Sequence, residues 1–72
     1  MIMSRIITKL TNDSQSYEII TSFINSTYTI SLFCVNKGRI SANPDKVETG
    51  HAISFNEVNQ KHDTFIHGLV NK

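Results

Sequence analysis

The segment from Tyr28 to Val35 alternates without a break, with Tyr28, Ile30, Leu32 and Cys34 on one side and Thr29, Ser31, Phe33 and Val35 on the other. A period of two marks a strand with one buried face, and such a strand needs a paired neighbour and a layer over its apolar side. The preceding segment, Ser16 to Ile24, admits two periods. Tyr17, Ile20, Phe23 and Ile24 share a helix face, whereas Tyr17, Ile19, Thr21 and Phe23 share a strand face. Its composition of Ile, Thr, Ser and aromatic residues, with no Ala, Leu, Lys or Gln, favours the strand, with a helix over the same residues as the competing reading. If Asn25-Ser26 is a two-residue hairpin loop, Phe23 faces Tyr28, Thr21 faces Ile30, Ile19 faces Leu32 and Tyr17 faces Cys34. Two independently read apolar faces then coincide on one side of the sheet.

The flanking segments extend this hairpin. Ser4 to Leu10 alternates loosely and reads as a first strand, ended by the turn formers Thr11-Asn12-Asp13-Ser14. Asn36-Lys37-Gly38 reads as a three-residue loop that pairs Val35 with Arg39 and sets Ile40 beside Cys34 on the core face. Asn43-Pro44-Asp45 ends that strand, a loop runs on to Thr49-Gly50, and His51 to Phe55 reads as a short last strand with Ile53 and Phe55 inward.

Asn56 to Leu69 is the one helical pattern, with Val58, His62, Phe65, Ile66 and Leu69 on one face. Ser54 and Glu57 have capping-box spacing, Asn56 is an alternative cap, and Lys72 suits the negative end of the helix dipole. The expected fold is α+β: a small antiparallel β-meander of about four strands with a C-terminal helix packed on one face. Residues 1–72 form a single domain in this reading, because 72 residues can build only one thin core.

A core that small usually needs a staple. Disulfides are excluded by the single cysteine, Cys34, which also suggests a reducing compartment. Cys34, His51, His62 and His67 show no paired spacing of the kind that holds zinc, so no metal or cofactor is expected. Arg5 and Lys9 interrupt the N-terminal apolar stretch, which does not read as a signal peptide, and no apolar run is long enough to span a bilayer. A cytoplasmic protein with a macromolecular partner, a second copy of itself among the candidates, is the reading that remains. A formal charge of +1 does not choose that partner.

Candidate chemistry is sparse. Cys34 beside a histidine would be the obvious nucleophilic pair, but its inward position in a strand makes it a buried small hydrophobe. His62 lies on the apolar stripe and covers the edge of the core, while His67, five residues on, points elsewhere. The carboxylates are scattered, no phosphate-loop or nucleophile-elbow motif occurs, and no catalytic residue is assigned. Lys37 and Arg39 at a hairpin tip with Phe33 beside them outline a small nucleic-acid reader, the alternative to protein binding.

The feature with most to say is the sheet side away from the helix, which is expected to carry Glu18, Ile20, Ser22, Ile24, Thr29, Ser31, Phe33, Val35, Arg39 and Ser41 with nothing left to cover them. Glu18, Ile20, Phe33, Val35, Lys37 and Arg39 are therefore the candidate interface. The expected function is non-enzymatic: an inhibitor or modulator of a host protein by surface occlusion. The many Ile and Asn residues and the scarcity of Ala match AT-rich coding, as in phage and mobile-element genes, and an anti-defence role would suit such an origin.

Overall fold

The computed structural model describes residues 4–70, so the expected dipole partner Lys72 lies outside the described residues. The chain runs β1 (Ser4–Asn12), β2 (Gln15–Ile24), β3 (Thr27–Asn36), β4 (Arg39–Ile40), β5 (Lys46–His51) and α1 (Phe55–Val70). All strand pairs are antiparallel, β1 next to β2 and β2 next to β3, with β4 and β5 sharing the far side of β3. The helix packs on one face of this sheet, giving the expected α+β meander.

Both long hairpins turn on two residues. Asn25 and Ser26 have φ of 51° and 65°, and Asp13 and Ser14 have 52° and 68°, the left-handed pair whose twist matches that of the flanking strands. Asn and Asp tolerate that region because their short polar side chains bond locally. The β2–β3 register follows the pairing expected from the sequence, including Phe23 with Tyr28 and Ile19 with Leu32. Ser16 to Ile24 is strand and not helix.

The third turn differs from expectation. Lys37 and Gly38 form a two-residue loop, with φ of 53° and 77°, so Asn36 pairs with Arg39 and Val35 with Ile40. Directly opposed residues share a face, and Ile40 therefore joins Val35 on the outer side and not Cys34 on the core side. Lys37 thus joins Gly38 in the left-handed region, which a three-residue loop would have reserved for the glycine.

The last strand also lies elsewhere. It occupies Lys46–His51, and the segment expected to be strand, His51 to Phe55, is the link into the helix. Ile53 is 94% exposed there, against the expectation that it points inward, and Phe55 is exposed too. Ala52 fills the inward place instead, buried and donating its N–H to Ser26 O at 3.0 Å.

The core contains Ile19, Tyr28, Ile30 and Leu32 from the sheet, Ala52 from the link, and Val58 and Phe65 from the helix. Glu57 N–H donates to Ser54 Oγ and Glu57 Oε2 accepts from Ile53 N–H, both at 3.3 Å, so Ser54 is the cap and the helix starts where the spacing placed it.

Candidate functional site

Strand alternation and register place the outer face residue by residue. One row across the sheet is Ile7, Ile20, Ser31 and Val47; the next is Lys9, Glu18 and Phe33; a third is Ser16, Val35 and Ile40. Ile7, Ile40 and Val47 are about half exposed, while Ile20, Phe33 and Val35 between them are partly covered by their neighbours. Toward the other end the face turns polar, with Arg5, Ser22, Thr29 and Thr49 in one row. The result is an apolar cluster with Ser16, Ser31 and the Lys9–Glu18 cross-strand pair set into it.

Of the residues expected at this surface, Glu18, Ile20, Phe33 and Val35 come together on it. Arg39 does not. Opposite Asn36 it falls on the helix side, because the shorter turn shifts its register by one. Lys37 stands at the turn itself, and the expected grouping of Lys37, Arg39 and Phe33 is split between two faces.

Ile7, Ile40 and Val47 were not among the expected contact residues. Ile7 carried a readable signal: counting back from Asp13-Ser14, as from Asn25-Ser26, sets it opposite Ile20. Ile40 and Val47 did not: the face of Ile40 depends on whether the turn before it has two residues or three, and that of Val47 on the chain between β4 and β5. Three steps along β3, from Val35 to Leu32, are matched by six along the edge, from Ile40 to Lys46. The surplus is odd, so the face alternation flips across the bulge.

The inner face explains the titratable groups. Cys34 lies on the helix side but is only half-buried, against the expectation that it is buried, and it stands outside the core cluster. Its Sγ donates to Asp45 Oδ2 at 2.7 Å, and this bond, with burial and the charge of Asp45 adding to it, raises the thiol pKa. A nucleophilic thiolate needs the opposite shift. His62 is buried between helix and sheet, with Nδ1 2.5 Å from Thr21 Oγ1 and Nε2 2.8 Å from Thr8 Oγ1. Hydroxyls donate or accept, so the pair of threonines satisfies either neutral tautomer. Both ring nitrogens are thereby engaged, and burial lowers the pKa of His62 against a smaller opposing effect of Asp63.

His51 and His67 are exposed, and among the described residues no group of three or more His, Cys, Asp and Glu side chains gathers as a metal site. A hollow of about 470 Å³ opens beyond the end of the helix, among Leu10, Tyr17, Leu32, Asp45, Lys46 and Leu69. No helix of the described chain is long and apolar enough to cross a membrane. No protein-family model, no curated protein and no solved structure matches this chain.

Proposed function

We propose that this protein is a non-enzymatic binding protein that inhibits or modulates another protein by covering part of its surface with the outer sheet face. The observation that carries the reading is the row Ile7, Ile20, Ser31 and Val47 with Phe33, Val35 and Ile40 beside it, an apolar surface over which the described residues lay no element. Monomers rarely leave apolar patches of that kind open unless they are used. A host protein or complex is the partner class we favour, with an anti-defence inhibitor of phage or mobile-element origin as the concrete case.

Nucleic-acid binding is less well supported. Lys37 and Arg39 do not share a face with Phe33, and Lys9 on the outer face is set opposite Glu18.

Affinity capture from host lysate tests the reading when four baits are compared. Proteins retained by the wild type and by Lys37→Ala/Arg39→Ala, but lost with Ile20→Asp and with Phe33→Asp, are the expected result, since an unpaired charge in a buried contact is costly. Capture that survives both aspartates and disappears with the Lys37/Arg39 pair, or with nuclease, would contradict it.

A further inference from the structure

The two edges of the sheet are built differently. On the β4–β5 side the ladder is interrupted by residues 41–45, where Pro44 has no N–H to offer, and such breaks deter strand addition. The β1 edge has no such device. Ser4–Asn12 is an unbroken strand of nine residues without Pro or Gly, and among the described residues only one of its sides is paired.

The turn decides which groups face that open side. A two-residue hairpin closes on a hydrogen-bonded pair, here Asn12 with Gln15, and the bonded positions then alternate along the strand. Asn12, Leu10, Thr8, Ile6 and Ser4 turn toward β2. The N–H and C=O groups of Arg5, Ile7, Lys9 and Thr11 are left directed outward.

We infer that this edge takes β1 of a second copy of the chain, antiparallel about a two-fold axis at Thr8, so that two sheets become one. The choice of a second copy rests on self-complementarity. Bonded pairs across the joint must link the four outward residues with one another, which leaves few symmetric registers. Centring on Ile7 sets Arg5 opposite the partner copy's Lys9, and centring on Lys9 sets that lysine against itself; like charges directly opposite are destabilising. Centring on Thr8 pairs Arg5 with Thr11 and Ile7 with Lys9, engages all four outward residues, and sets Ile6 opposite Leu10 on the helix side.

Lys9 and Arg5 project from the outer face and not along the edge, so they select the register without blocking it. Lys9 keeps Glu18 across its own sheet while its methylene stem covers the other copy's Ile7. A perpendicular two-fold puts both outer faces on the same side, and the two apolar patches form one symmetric surface. This assembly is independent of what that surface binds.

Amide hydrogen exchange on the intact protein, beside its mass in solution, tests the joint. The expected mass at high concentration is twice 8.1 kDa, and the amides of Arg5, Ile7, Lys9 and Thr11 gain protection as concentration rises, while those of Ile6, Thr8 and Leu10 are protected throughout. Ile7→Pro removes an outward N–H that the single chain does not use, and is expected to give a folded monomer. Ile7→Glu sets a carboxylate opposite Lys9 at both ends of the joint and is expected to tighten the dimer several-fold, while Phe33→Asp, two strands away, leaves it unchanged. A monomer up to about 500 μM would overturn the inference. So would a dimer in which those four amides exchange freely, and a dimer weakened by Ile7→Glu would overturn the register.

Discussion

His62 is a buried base held neutral by its surroundings, and its consequence is a definite pH dependence. Its folded pKa lies below the ordinary value of 6.5, so the unfolded chain binds the proton more readily than the folded one. Stability is therefore full above about pH 6.5 and declines as the pH falls below it, until the folded group itself takes up the proton. Denaturant titrations at pH 7.5 and pH 5.5 are expected to show a lower midpoint for the wild type at the acid value, and a much smaller difference for His62→Gln; equal slopes for both would remove His62 as the cause. That His62 lies on the core stripe was legible from its helical spacing. Its two threonine partners were not, because Thr8 and Thr21 are brought to it by strands 54 and 41 residues away in sequence.

Gly50 makes a second residue-scale case. Opposite Tyr28, it has a backbone that lies so close to the ring that an added Cβ would meet the phenol oxygen at 2.8 Å and ring carbon at 2.9 Å. Gly50→Ala is expected to cost about 1–3 kcal/mol by overpacking, read as a shift in the unfolding midpoint. Its φ is not in the left-handed region, so the requirement is one of space, which a single sequence does not reveal.

At the scale of elements, β2 and β3 were readable because most of their inward residues, Tyr17, Ile19, Phe23, Tyr28, Ile30 and Leu32, are large and apolar and their turn has a fixed length. β5 was not. Lys46, Glu48 and Gly50 occupy its helix side, and the one aliphatic residue, Val47, points outward, so no apolar alternation marks it. Lys46 earns its inward place by spreading its stem over the core, with Nζ 5.2 Å from the centre of the Phe65 ring, and Glu48 Oε2 lies 3.5 Å from the Tyr28 hydroxyl.

The Cys34–Asp45 bond ties β3 to the bulge between β4 and β5. Cys34→Val keeps the volume and removes only that bond at a half-exposed site, so a loss of no more than about 1 kcal/mol is expected, with binding retained. A folded Cys34→Val protein that had lost all binding would show that the thiol acts in its own right.

At the scale of the whole molecule, the protein is two layers, a sheet and one helix, and the account depends on the two sheet faces being different in kind. One carries Ile19, Ile30 and Leu32 under the helix; the other carries Ile7, Ile20, Phe33 and Val47 with no element of the described residues over them. Neighbours in one strand therefore face opposite fates. The most direct measurement is equilibrium unfolding in urea, followed by circular dichroism, of the wild type, Leu32→Asp and Phe33→Asp. Leu32 is buried, so a carboxylate there is expected to remove more than about 3 kcal/mol and leave the chain unfolded before denaturant is added, whereas Phe33→Asp, which sets a carboxylate opposite Glu18, is expected to keep a cooperative transition at a loss of about 1–2 kcal/mol. Equal collapse of both variants would mean that both faces are core, and would contradict the account of a sheet with one face built to be covered by a partner.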